Sequence, residues 1–302
     1  MRSRVGVAFL IAILAATNAH AWFDTLEVGG HAAGLGDAFV SVADDASAIT
    51  WNPAGLVQLP RHEALVSSDR ANGLEGLSTD FLALAFHVRG SSLGVGWRHQ
   101  SLDDAVREDY VVLGGARTIV RRSLGAFIAA GGGLEIARIG LDTAGFESVT
   151  GLHDADTGVA GTVGVLLQPI PNVTAAAVMR HLGQPTFDLI EGGAQTRLDA
   201  EVEWGISLRW REDGRVHVSH LRTASGRSVT RAGAELRIAG SMWLRAGASS
   251  DGVSGGLGVG IHGWELDWAY RAHETLGATT RVGVRRGFGH ARDAVGGTYE
   301  DF

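Results

Sequence analysis

Three absences bound this chain before any pattern is read. Its 302 residues include no cysteine, so no disulfide contributes to its stability and a small stapled scaffold is excluded. Lysine is also missing, and all 26 basic side chains are arginine. With a formal net charge of −7 and no basic block, nothing marks a nucleic-acid surface. After the first sixteen residues, no apolar run approaches the ~20 residues that a membrane-spanning helix needs. Glycine, by contrast, is abundant at 44 residues; it follows no collagen period and is spread through apolar segments.

The chain begins MRSRVGVAFLIAILAATNAHAWF. Arg2 and Arg4 form a basic start, Val5 to Ala16 an apolar core, and Ala19-His20-Ala21 a small-x-small cleavage pattern. These features predict a secretory signal peptide over 1–21 and a mature chain starting near Trp22. The apolar core is too short for a membrane anchor, and no cysteine follows it to carry a lipid.

From about residue 62 to 288 apolar and polar residues alternate with the period of two that marks strands. In Leu198 to Arg211, Val202, Trp204, Ile206, Leu208 and Trp210 share one face, opposite Glu201, Glu203, Ser207, Arg209 and Arg211. Trp264, Leu266, Trp268 and Tyr270 oppose Glu265, Asp267, Arg271 and His273 in the same way. The pattern predicts about fourteen strands, near 62–70, 77–89, 92–101, 109–119, 122–138, 155–168, 172–183, 198–211, 214–222, 228–239, 241–249, 253–262, 263–273 and 278–288. Most match the 9–11 residues with which a tilted strand crosses a bilayer.

Every second connection is short, as at "RGSS" near 90, "PIPN" near 171 and "HG" near 262. The longest, about 139–154 and 184–197, lie among the alternate connections. This sorting is the habit of outer-membrane barrels. A closed barrel in lipid leaves no strand edge and turns apolar side chains outward. Trp204, Trp210, Trp264, Trp268 and Tyr270 are then expected to face the membrane. The reading is an all-β transmembrane outer-membrane β-barrel of about fourteen antiparallel strands. Its expected parts are the signal peptide 1–21, an N-terminal segment 22–61 that suits filling a lumen better than spanning a membrane, the barrel 62–288 and a tail 289–302.

Gly36 to Pro60 reads GDAFVSVADDASAITWNPAGLVQLP and has no alternation of its own. Asn52 followed by Pro53 predicts a short helix start, with Asn52 as N-cap. Asp44 or Asp45 is expected to cap a turn containing Ala46 to Ile49. Glu27 to Leu56, EVGGHAAGLGDAFVSVADDASAITWNPAGL, resembles the N-terminal signature of the FadL-like superfamily, in particular its PorV/PorQ-type branch. GATTRVGVRRGF, Gly277 to Phe288, resembles that branch's last strand. The resemblance implies a fourteen-stranded barrel with 22–61 as an N-terminal hatch, or plug, in its lumen that gates a hydrophobic compound. Asp44, Asp45, Asn52, Pro53, Ala54 and Gly55 map onto the shared phrases, where they either serve gating or lock the hatch to the wall. Phe39, Trp51 and Leu56 are candidate ligand contacts.

Enzyme signals are weak. Adjacent Asp44 and Asp45 seldom present both carboxylates to one substrate. His217 and His220, three apart on a strand, point to opposite faces and form no metal pair. Gly131-Gly132-Gly133 precedes no helix and is expected to make room for the hatch or kink a strand. Asn172-Val173-Thr174 fits a glycosylation acceptor by chance. No cofactor or metal is expected. The expected partners are membrane lipid and either a hydrophobic small molecule or, as the PorV-type resemblance implies, a secreted protein. A lumen charge pair is expected between Asp267 and Arg285 across the last hairpin.

Overall fold

The computed structural model describes residues 27–290, apart from 72–75, 104, 123–124, 143–151, 190, 192–194 and 274–276. The expected signal peptide, the start near Trp22 and all but the first two residues of the expected tail lie outside the described residues.

Alternation becomes strand throughout the second part of the chain. The strands are β1 His62–Ala71, β2 Leu77–Val88, β3 Ser91–Leu102, β4 Val106–Arg121, β5 Phe127–Leu141, β6 Ala155–Ile170 and β7 Val173–Leu182. There follow a two-residue ribbon, β8 Thr186–Phe187 and β9 Thr196–Arg197, then β10 Glu201–Arg211, β11 Gly214–Thr223 and β12 Ser228–Ala239. The last four are β13 Met242–Ser249, β14 Gly252–Ile261, β15 Trp264–His273 and β16 Gly277–Phe288. Each pairs antiparallel with its chain neighbour, β7 passes directly to β10, and β1 pairs with β16 to close a barrel of fourteen strands. The ribbon β8–β9 stands apart as a separate small sheet.

The two faces are inverted relative to a water-soluble protein. Outward positions such as Val66, Leu113, Val159, Ile206, Trp264 and Trp268 are apolar and exposed, as a lipid-facing band requires. Trp204, Trp210 and Tyr270 share that face. Inward positions include Glu63, Arg98, Glu135, Arg180, Glu203, Glu235, Arg245 and Asp267, all buried. His217 is buried inside, while His220 lies outside against Trp204 with ring centroids 4.7 Å apart. The odd spacing sends them to opposite faces, as a strand must.

What is buried inside the barrel is the N-terminal segment. Residues 28–57 are buried, and their helical turns, Gly30–Gly34, Ala48–Trp51 and a 3-10 turn Pro53–Gln58, touch opposite arcs of the ring. Gly30–Gly34 packs on β13 to β16, and the later turns pack on β3 to β6. Inward glycines make this approach possible. A methyl group at Gly131 would strike the Pro53 and Ala54 backbone, at Gly164 the Asn52 side chain, and at Gly247 the Leu35–Gly36 backbone. Gly131 therefore makes room for the segment, one of the two roles expected for the glycine triplet.

The sequence pattern missed the β8–β9 ribbon, because two-residue strands carry no periodicity. Its Phe187, with nearby Leu189 and Leu198, is buried in the same apolar cluster as Val106, Tyr110 and Ile139. The ribbon thus turns inward near the longer-loop end, where Gly158 lies against Pro185 and Phe187.

Close packing at Gly131 sets a test. Gly131→Val should lower stability by about 1–3 kcal/mol by forcing the segment off the wall. The same change at outward-facing Ala130 should cost far less in a detergent thermal-melt series. Equal losses at both positions would contradict the placement of the segment.

Candidate functional site

Charge is spread unevenly over the interior, with Arg98, Glu108, Glu135 and Arg180 buried among the apolar side chains of β2 to β7. The inner wall of β2 to β7 supplies Phe81, Ala83, Tyr110, Val112, Ala129 and Leu166, and Ile49 and Leu56 pack against Gly94 there. The inner wall of β10 to β16 is charged, and its arginines reach toward the segment.

Glu27 accepts hydrogen bonds from Arg231 at 2.8 Å and Arg271 at 2.6 Å. Asp37 accepts from Arg271 at 2.6 Å and lies 3.7 Å from Arg281. Asp44 accepts from Arg215 at 3.0 Å. Three of these arginines are shared with carboxylates of the wall. Arg231 also meets Glu203 at 3.1 Å, Arg281 meets Asp69 at 2.5 Å, and Arg215 meets Glu235 at 3.5 Å. His31, on the first helical turn, lies 3.1 Å from Glu235 and within 3.8 Å of Asp44 and Asp45. A buried charge stripped of its partner is costly, so these shared arginines bind segment to wall firmly while both are in place.

The expected site residues divide into anchors and packed core. Asn52 caps the 3-10 turn by accepting from the Ala54 N–H at 3.1 Å. Its amide also donates to the Val40 carbonyl within the segment and the Val165 carbonyl on β6, each at 3.2 Å. Pro53 and Ala54 fit against Gly131, and a side chain on Gly55 would strike the Ala43 backbone. Asp45 caps the turn before Ala48–Trp51 by accepting from the Ser47 N–H at 2.8 Å, whereas Asp44 is turned to Arg215. Phe39, Trp51 and Leu56 are buried. Phe39 meets Trp51 edge-on at 5.9 Å, and the Trp51 indole N–H donates to the Val28 carbonyl at 3.0 Å. A cavity of about 40 Å³, room for only a few waters, opens beside Asp44, Ser207 and Arg215.

One expected pair is corrected. The last hairpin closes with His273 opposite Gly277, so Glu265 stands across from Arg285 and Asp267 across from Gly283. Arg285 bonds Glu265 at 2.5 Å, and Asp267 is held by Arg245. A tighter hairpin moves the register by two residues, which keeps both side chains in the lumen but changes the partner. The pattern also did not single out Glu27, His31 and Asp37, or the arginines that meet them. The signal available was inward parity of Arg215, Arg231, Arg271 and Arg281 facing a stretch that carries carboxylates.

Charges on the segment are shifted by this setting. Burial, reinforced by Glu27, pushes the Asp37 carboxyl up to about 7 against the pull of Arg271 and Arg281. Burial also opposes ionisation of Glu27, but Arg271 and Arg231 hold it well below the ordinary carboxylate range. Burial raises Asp45 as well, despite Arg285. For His31, burial and Arg245 disfavour the cation, yet Glu235 and Asp44 more than offset them and its pKa rises. Asp44 is lowered: burial opposes its charge, and His31 with Arg215 prevails.

No protein-family model matches the chain, and no curated protein matches it significantly. Solved structures do resemble it. The Ralstonia pickettii toluene transporter TbuX superimposes with a TM-score of 0.64 at 14% identity, over 88% of this chain and 100% of that one. The CymD monoaromatic hydrocarbon channel gives 0.65 at 15% identity, over 89% and 99%. A Pseudomonas aeruginosa FadL homologue gives 0.59 at 12% identity, over 87% and 98%. At such identities the likeness is one of fold, and the fold is that of FadL-like outer-membrane barrels.

Two tests follow from this geometry. Glu265→Ala and Arg285→Ala should be non-additive by about 0.5 kcal/mol or more, whereas Asp267→Ala should couple more strongly to Arg245→Ala than to Arg285→Ala. Double-mutant cycles by thermal melting decide between these pairings. The raised values at His31, Asp37 and Asp45 give stability that is full at low pH and is lost as pH rises through their folded values. Glu27 and Asp44, shifted down, lose their contribution only in acid. Amides of residues 28–50 should therefore exchange faster at about pH 8 than at about pH 5, after correction for intrinsic rates. Slower exchange at the higher pH would refute this assignment.

Proposed function

We propose that the barrel passes or binds a hydrophobic small molecule across the outer membrane, with the N-terminal segment as its hatch. The observation that carries the reading is the way the lumen is filled. A separate segment, not part of the wall, occupies it and is attached by side-chain ion pairs and glycine contacts instead of by ladder hydrogen bonds. Such attachments break and re-form without opening the barrel. The hatch brings Phe39, Trp51 and Leu56 into the interior, and the inner wall of β2 to β7 adds Phe81, Val112, Ala129 and Leu166 beside its buried Arg98, Glu108, Glu135 and Arg180. Displacing the hatch would expose apolar side chains of β2 to β7 between paired charges, a lining suited to a ligand with a few polar contacts at most. The likeness to a toluene transporter and a monoaromatic hydrocarbon channel supports the same class of solute. On this reading the PorV/PorQ-like phrases between Asp44 and Gly55 secure the hatch.

The absence of cysteine permits a clean test of hatch movement. A methyl group on Gly164 would lie against the Asn52 side chain, so Asn52→Cys with Gly164→Cys places two thiols across the hatch–wall contact. In vesicles with a lipopolysaccharide outer leaflet, which retards hydrocarbons, and holding an aromatic-hydrocarbon reporter, the oxidised double variant should admit toluene far more slowly than the same protein after reduction. Unchanged uptake on oxidation, with the disulfide verified, would refute gating by the hatch. Uptake no faster than through empty vesicles in both states would refute solute passage itself.

A further inference from the structure

The short-turn end of β2 to β5 carries four exposed arginines, of which Arg121, opposite Phe127, stands on the lumen side of the rim. Arg89 is in the two-residue turn between β2 and β3, Arg117 is on β4, and Arg121 and Arg122 are at the β4–β5 turn. The ladder brings them together. Arg117 stands opposite Ser91, two residues beyond Arg89, and Arg121 ends the same strand four residues later. None of the four guanidinium groups has an ion-pair partner among the described residues, and no described carboxylate is exposed at this rim of β2 to β5. Local structure does not call for arginine at the first of them. Arg89 and Gly90 both have positive φ, 46° and 82°, a turn that favours Asn-Gly.

Directly above this cluster the outer wall is apolar, with Val88, Leu93, Leu113, Ile119 and Ile128 exposed toward lipid. At the opposite, longer-loop end, the same strands carry exposed Asp103 and Asp142 and half-buried Asp80 and Asp109 against Arg107 and Arg138. The basic character thus belongs to one end only. Short turns face the periplasm in barrels of this kind, which puts the arginines at the headgroup level of the periplasmic leaflet.

We propose that Arg89, Arg117, Arg121 and Arg122 form a binding site for the headgroup of an anionic glycerophospholipid, whose acyl chains lie on the apolar wall above them. Guanidinium groups present forked donors that match phosphate oxygens, and an arginine is less heavily hydrated than an ammonium group. Arg117 faces outward on the strand, so its apolar stem runs along the lipid-facing wall while its charge reaches the headgroup level. The site rests on the barrel and its orientation, and it stands whether or not the lumen passes a solute.

The test uses the full chain in vesicles of phosphatidylcholine and phosphatidylglycerol in equal parts. Lipid retained on the protein after gentle extraction is counted by native mass spectrometry. Phosphatidylglycerol should be retained over phosphatidylcholine. In the variant Arg89→Gln/Arg117→Gln/Arg121→Gln/Arg122→Gln that preference should fall at least about fivefold, the effect of a single surface arginine. Arg107→Gln/Arg138→Gln, at the other end of the same strands, should leave it unchanged, and equal melting temperatures would exclude misfolding as the cause. Equal retention of the two lipids by the unaltered protein, or an equal loss in both variants, would overturn the proposal. Displacement by millimolar inorganic phosphate would show a general phosphate site, and preferential capture of lipid A would move the site to the outer leaflet; either would overturn the assignment.

Discussion

The hydrogen bonds between β1 and β16 close the ladder, and the remaining architecture follows from that closure. With no edge left, every strand can face hydrocarbon without an unpaired backbone group. Closure also makes alternation decide environment: one set of side chains meets lipid and the other is enclosed. The outer set is apolar. The inner set includes arginines and carboxylates that cannot remain both enclosed and unpaired. Interior charge balance is therefore a structural requirement in this protein.

The N-terminal segment meets that requirement. Glu27, Asp37 and Asp44 add negative charge where Arg231, Arg271, Arg281 and Arg215 converge, and wall carboxylates share three of those four arginines. On the opposite arc backbone and apolar side chains lie in glycine-lined depressions, joined by hydrogen bonds from Asn52 to the Val165 carbonyl and from Arg180 to the Trp51 carbonyl. The segment is thus packed closely on both sides, at Gly233 and Gly247 as at Gly131 and Gly164, and the arginine pairs are added on the β10 to β16 side.

Much of the fold could be read from the chain. Alternation at Val202 to Trp210 and Trp264 to Tyr270 located strands and set their outward face, because a strand's period of two is local. The short turn at Asn52-Pro53 was legible for the same reason, since a cap involves neighbours: Asn52 accepts from Ala54, two residues away. The partner of Arg285 was not legible. Shortening the connection before Gly277 moves the opposing residue from Asp267 to Glu265 without changing face, and alternation is blind to a shift of two. The β8–β9 ribbon escaped notice because it is too short to repeat.

The sequence by itself determined a closed barrel with an inverted surface and a non-repeating segment before its first strand, since composition and period act over a few residues. Only the tertiary structure decided which strands that segment touches and which charges hold it. Arg231 and Glu27 are 204 residues apart in the chain, and only the barrel's curvature brings them within 2.8 Å. No local pattern encodes such a distance. It depends on strand register summed around the ring, and on the inward glycines that let one backbone settle against another.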